Sequence, residues 1–183
     1  IGDNGLPVAQ IWGMVDDFLI HAPTRAKCFK AFSEFMDHTV WLGFICQKVK
    51  TSPPAQVQKF CGMLYDTQSH PCIRIPEAKV SQSLATLEFV IRQDHRGQLS
   101  RLTVSVMSGL LQSLVDGTPQ RQGQTYLRAA YTELHGLDEL YGKALFYTKI
   151  HLSSSVLDDL QWWRDLLMTN PGNRSRSATF GTL

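Results

Sequence analysis

The stretch Ile11-Trp12-Gly13-Met14-Val15-Asp16-Asp17-Phe18-Leu19-Ile20-His21 decides how this chain is read. An apolar run reaches two adjacent aspartates, and a second apolar run follows at once. This pattern predicts a tight antiparallel hairpin with Asp16 and Asp17 at its turn and buried strands on either side. Trp12, Met14 and Phe18 to Ile20 are expected to pack against the helix that follows. Two neighbouring carboxylates repel each other, so a plain loop gains nothing from them. A divalent cation gives them a purpose, because hard oxygen ligands suit Mg²⁺ or Mn²⁺.

Working outward, residues 1–7 read as loop. The first strand is expected over Val8 to Val15 and the second from Phe18 to Ile20 or His21, ended by Pro23. Thr24 is a good N-cap for a helix from Arg25 to about Val40. Phe29, Phe32, Met36 and Val40 recur at helical spacing and are expected to form its buried stripe. Lys27 and Lys30 belong to a solvated face, and Gly43 stops the helix. After Leu42-Gly43-Phe44 come Lys48, Lys50 and a Pro-containing loop. Lys59 to Thr67 reads as a strand with Gly62 inside it, a placement that often marks close approach of a ligand or another backbone. Gln68 to Pro71 is a turn, and Cys72 to Ile75 a returning strand.

The second half reads as helices. Glu77 to about Arg92 carries Val80, Leu84, Leu87 and Ile91 on one face. Ser100 caps a helix to about Val115, with Leu102, Val106, Leu110 and Leu114 inward. Gly117-Thr118-Pro119 breaks it, with Pro119 at a first helical position. A third helix over Gln120 to His135 buries Leu127, Ala130, Tyr131 and Leu134. Gly136 to Leu152 reads mostly as loop. Ser153 or Ser154 caps the last helix, to about Met168, with Asp158 and Asp159 favouring its dipole in the first turn. Asn170 to Leu183 has the composition of a flexible tail. Arg92, His95, Arg96 and Arg101 form a basic cluster, either a phosphate contact or a solvated turn. Trp162 and Trp163 read as one core residue and one at a domain contact, with base stacking as the other option.

The 183 residues make one large domain or two small ones, and 43% of them are hydrophobic, enough for a core. The formal charge of +2 is too small to argue nucleic-acid binding by itself. Cys28, Cys46, Cys61 and Cys72 show no CxxC spacing, and Cys61, His70 and Cys72 are poorly spaced for zinc. Free thiols fit a reducing compartment, so an intracellular location, cytoplasmic or nuclear, is expected. No apolar run is long enough for a membrane span, and no signal peptide is visible. A chain that opens on Ile1 and closes on a polar tail reads as a piece of a longer protein.

The order of these motifs resembles reverse transcriptases. Their Tyr-x-Asp-Asp hairpin is matched by Met14-Val15-Asp16-Asp17, with Met14 in the tyrosine position. Leu42-Gly43-Phe44 with Lys50 follows, then Pro54-x-Gln56, Phe60-Cys61-Gly62, Ile75-Pro76 and Lys79. Asp159-Leu160-Gln161-Trp162-Trp163 resembles the region before the RNase H domain of DIRS-like retrotransposons. The resemblance spans about residues 8 to 168 and is closest through residue 80. It implies an α+β fold: antiparallel palm hairpins packed on a helix (1–76), a mostly helical thumb or connection region (77–168) and a tail (169–183).

The resemblance also implies an RNA-directed DNA polymerase that uses two Mg²⁺ or Mn²⁺ ions. Asp16 would be the firmer metal ligand and Asp17 the more peripheral. Lys50, with Lys48 as the alternative, would approach the leaving pyrophosphate. Phe60, Cys61 and Gly62 would form the primer grip, with Met14 and Val15 also against nucleic acid. The implied partners are an RNA or DNA template with its primer, deoxynucleoside triphosphates, and the upstream fingers and palm of a parent polyprotein, with no membrane. The family's third carboxylate lies upstream of the hairpin, and only residues 1–15 precede Asp16 here. The chain alone is therefore expected to be inactive. A non-catalytic nucleic-acid-binding or assembly module derived from such a polymerase is the alternative.

Overall fold

A computed structural model describes residues 9–68, 71–141 and 146–169. Among the described residues the protein is mixed α and β: five α-helices and five strands, the strands in two small antiparallel sheets of two and three strands. The chain divides into two compact units, one up to Pro71 and one from Cys72. The division falls a few residues before the boundary expected after residue 76. Among the described residues no helix is long and apolar enough to cross a membrane.

In the first unit β1 (Gln10–Met14) and β2 (Asp17–His21) form the anticipated hairpin. Their register pairs Met14 with Asp17, Gly13 with Phe18 and Trp12 with Leu19. The turn is therefore Val15-Asp16, and Asp17 is the first residue of β2 instead of a turn residue. Helix α1 (Arg25–Trp41) begins as expected, with the Thr24 hydroxyl accepting from the Lys27 amide at 3.3 Å. It ends in a Schellman reversal: Phe44 N–H donates to Thr39 O at 2.9 Å and Gly43 N–H to Val40 O at 3.0 Å, with Gly43 at φ +83°.

The stripe of α1 is rotated from expectation. Cys28, Ala31, Phe32, Phe35, Met36 and Thr39 are half-buried, whereas Phe29 and Val40 face outward. The helix carries more apolar residues than one face needs, so their spacing gives the period but not the phase. Lys27 and Lys30 are exposed, and Lys30 lies 3.9 Å from Glu34.

The segment from Lys59 to Thr67 is two strands, not one. β3 (Val57–Phe60) and β4 (Met63–Asp66) pair Phe60 with Met63, leaving Cys61-Gly62 as a two-residue turn. Both turn residues have positive φ, +48° and +76°, as the type I′ hairpin turn requires. Gly62 is thus a turn residue and not a glycine inside a strand. A third short strand, β5 (Cys72–Arg74), opens the second unit.

The second unit holds the core. α2 (Glu77–His95) packs on α3 (Arg101–Gln112) and α5 (Ser154–Thr169), and α3 packs on α4 (Arg128–Tyr141). α5 presents Val156, Leu160, Trp163 and Leu167, all buried, at spacings of four, three and four. α3 buries Val104, Met107 and Leu111, while Leu102 and Leu110 are half-buried and Val106 is exposed. Ser100 caps it as expected.

Between α3 and α4 the expected helix start is displaced. Pro119–Leu127 is an irregular 3₁₀ segment, because Gln120 and Arg121 take left-handed conformations, φ +50° and +59°. α4 begins only at Arg128, and Tyr131 on it is 42% exposed instead of buried. The region expected to be loop contains the rest of α4. The tail from residue 170 lies outside the described residues. Asp158 and Asp159 fall in the second turn of α5, not the first. The Asp159 carboxylate accepts from the Ala129 amide at the start of α4, and its pKa is raised, chiefly by desolvation, against that bond. Trp163 is the core tryptophan and donates to Tyr126 O at 3.0 Å. Trp162 stacks on the Tyr126 ring, centroids 3.9 Å apart.

Candidate active-site hairpins

The β1–β2 hairpin has two faces, and directly opposed residues share one. Gly13, Phe18, Ile11 and Ile20 lie on the face toward α1. Phe18 covers Gly13, where a Cβ would sit 3.0 Å from its ring, and its ring centroid is 5.1 Å from that of Phe35. The Cys28 thiol donates to Ile20 O at 3.6 Å. Trp12, Met14, Asp17, Leu19 and His21 share the other face. Trp12 and Met14 therefore do not pack on the helix. Trp12 stacks on His21 at 6.5 Å and meets Tyr65 of β4 edge-on at 6.4 Å. Desolvation lowers the His21 pKa from its ordinary value.

The two hairpin tips meet. The Cys61 thiol donates to the Met14 thioether across 3.6 Å. Desolvation raises the Cys61 pKa, and the negative charge of Asp17 raises it further. Phe60 supports this tip from below, its ring 5.8 Å from that of Tyr65. Met14, Asp17, Phe60, Cys61 and Gly62, proposed from separate parts of the sequence, thus gather at one place. No sequence signal announces the Met14–Cys61 contact or the Trp12–Tyr65 one.

Val15 stands at the extreme tip, 96% exposed and at φ +57°. A β-branched residue is a real outlier there, and positive φ at the first turn position alone is the mark of a type II′ turn. Asp16 follows it in the turn. Asp16 and Asp17 are both exposed, and among the described residues neither carboxylate is held by a hydrogen bond or ion pair. Their oxygens are available to a hard cation, which fits the donor type Mg²⁺ or Mn²⁺ prefers. Two carboxylates are one edge of such a site. Among the described residues no three His, Cys, Asp or Glu side chains gather to complete one.

Lys50 lies on the exposed turn after α1, its amide donating to Gln47 O at 3.0 Å. It makes no ion pair with Asp16 or Asp17 among the described residues. Lys48 is likewise exposed. In the second unit, Arg101 leaves the expected basic cluster: it is buried, with its guanidinium over the Phe146 ring at 5.7 Å. No protein-family description, curated protein or solved structure matches the chain.

Proposed function

We propose that the chain is the C-terminal part of the palm, followed by the thumb, of an RNA-directed DNA polymerase from a DIRS-like retroelement. One observation carries the reading: the end of the β1–β2 hairpin presents two adjacent, unengaged carboxylates, Asp16 in its turn and Asp17 at the start of β2, beside the Cys61-Gly62 turn of a second hairpin. Asp16 and Asp17 would hold one edge of a Mg²⁺ or Mn²⁺ site, with the remaining ligands supplied by the parent polypeptide. Two such ions, when bound, stabilise the attacking and leaving oxygens of nucleotidyl transfer. Met14 and Val15 would lie against the primer strand of an RNA or DNA template–primer. The Cys61-Gly62 turn, with no bulky side chain at Gly62, lets backbone come close to the same strand. Lys50 would meet charge developing on the pyrophosphate leaving the incoming deoxynucleoside triphosphate. None of the described residues from Ala9 to Gly62 is fully buried. That suits a layer which the rest of a palm and the fingers would cover.

A second reading is a non-catalytic nucleic-acid-binding or assembly module, which would use the same exposed hairpin tips without nucleotidyl transfer. Primer extension on an RNA template by the parent polypeptide separates the two. In the polymerase reading Asp16→Asn abolishes extension and leaves template–primer binding intact. A parent that binds template–primer but never extends it supports the module. Extension that survives both Asp16→Asn and Asp17→Asn ends the polymerase assignment of this hairpin.

A further inference from the structure

We propose that the corner where the end of α2 meets the segment before α5 is a binding surface for single-stranded nucleic acid. The inference goes beyond the polymerase reading and uses none of its residues. Tyr147 lies in a turn, and the segment from Thr148 to Leu152 follows it with a single antiparallel bridge at Lys149. Ile150 N–H donates to Leu99 O at 3.0 Å, and Lys149 bridges Ser100 in antiparallel fashion. From Lys149 on its side chains alternate: Ile150 and Leu152 are buried while Lys149 and His151 are exposed, and Tyr147 in the preceding turn is 79% exposed. Alternation places Lys149 and His151 in one outward row, with the exposed Tyr147 two residues before Lys149.

That row is pinned to the end of α2, some fifty residues earlier in the chain. Lys149 Nζ donates to Gln98 O at 2.8 Å. His151 Nδ1 lies 3.6 Å from the Asp94 carboxylate, and its ring stands 3.7 Å from where a Cβ on Gly97 would be. Arg92, His95 and Arg96 are exposed at the same helix end. Asp94, the acid within this corner, is buried and accepts the Leu152 amide at 2.9 Å. Five basic side chains therefore meet at the end of α2, and the exposed Tyr147 stands in the chain two residues before Lys149.

The helix dipole accounts for Arg92 and His95 in a last turn. Lys149 meets the same helix end from another segment, on the Gln98 carbonyl, but the dipole does not account for the exposed ring of Tyr147. Cations that follow a phosphate backbone beside a ring on which a base stacks are how proteins hold single strands without reading sequence. A duplex offers the phosphates but hides its base faces. A membrane surface calls for an apolar helix face or a lipid anchor, and this row has neither.

The test is fluorescence anisotropy of a fluorescein-labelled oligothymidylate with the whole chain, over a salt series. Binding is expected in the range of non-specific complexes, on the order of micromolar at physiological salt. Arg96→Gln with Lys149→Gln should weaken it about tenfold or more. The same pair should flatten the salt dependence by about 0.7 in log–log slope for each phosphate no longer neutralised. Tyr147→Ala should weaken oligothymidylate binding and leave heparin binding unchanged. Arg128→Gln with Arg164→Gln, exposed elsewhere on the unit, should change nothing. If Lys149→Gln loosens the segment by removing its bond to Gln98, Arg96→Glu alone must still weaken binding, since the Arg96 side chain is held by no hydrogen bond or ion pair among the described residues. Absence of binding by the wild type, unchanged affinity in Arg96→Glu, or preference for duplex or phosphatidylserine vesicles would each overturn the proposal. No nucleotide addition is read, so failure here leaves the polymerase reading standing, and failed extension leaves this surface standing.

Discussion

The Cys61 Sγ lies 3.6 Å from the Met14 Sδ, and this sulfur pair joins the tips of two hairpins 47 residues apart. Asp17 sits opposite Met14 on the same face, and its charge adds to the desolvation that raises the Cys61 pKa. A thiol so placed holds less reactive thiolate at a given pH. Asp17→Asn removes the smaller of the two causes and should speed alkylation of Cys61 by iodoacetamide near pH 8. Rates at Cys46 and Cys72 should not move. Peptide mapping of the alkylated chain checks this, and an unchanged Cys61 rate would mean that the two tips are not held together in solution.

Val15 bears strain without contributing packing, because it combines φ +57° with 96% exposure. A conformation of this kind costs roughly 1–3 kcal/mol. Val15→Asn or Val15→Gly should stabilise the protein by about 1 kcal/mol in urea denaturation. If the strain serves to hold Asp16, the same changes should slow primer extension by the parent. A destabilised Val15→Asn protein would show that the turn is not the one described.

Gly123 is required for space, not for backbone freedom. A Cβ there would stand 2.6 Å from the Trp163 ring and 3.0 Å from Thr118 Cγ2. Trp163 is fully buried and held by its bond to Tyr126 O, so it has nowhere to retreat. Gly123→Ala should cost about 1–3 kcal/mol. Gly109, on α3 with open space around it, is the contrast: Gly109→Ala should gain about 0.5–1 kcal/mol from helix propensity. Thermal melts of the two variants should move in opposite directions.

His21 is expected to make the first unit acid-sensitive. Its folded pKa is depressed by desolvation, while the unfolded chain protonates near the ordinary value of 6.5. The contribution is complete above about pH 6.5 and is lost as pH falls below it, because the unfolded state then binds the proton more readily. His21→Phe keeps a ring against Trp12 and should flatten stability between about pH 7.5 and about 5.5. An equally steep profile in the variant would assign the loss to other groups.

Local signals in the sequence translated well, and long-range ones did not. Thr24 and Ser100 are caps, Gly43 ends α1, and the apolar run on either side of Asp16-Asp17 is a hairpin. Each is decided by chemistry within a few residues. Helix phase failed where apolar residues exceed one face. Leu102, Val104, Val106, Met107, Leu110 and Leu111 crowd α3, and only packing selects Val104, Met107 and Leu111. The Cys61-Gly62 turn is hidden in the sequence because cysteine at positive φ is not a recognised turn signal. The delayed start of α4 comes from Gln120 and Arg121, which carry no sign of a left-handed backbone. At the candidate site the residue types are legible but their meeting is not. Nothing in the sequence says that residue 14 touches residue 61, or that Lys149 and His151 return to Gln98 and Asp94.

The two-residue turn at Val15-Asp16 also sets which kinds of genetic change this hairpin survives. Side chains along a strand alternate between faces, so sliding β2 by one position against β1 turns every one of them over. Asp17 would leave the side of Met14 and Cys61, and Phe18 would lose its place over Gly13. Sliding by two restores the faces. The hairpin responds to parity: an inserted or deleted single codon between residues 10 and 21 is more disruptive than most substitutions, while a change of two codons keeps each side chain on its own side.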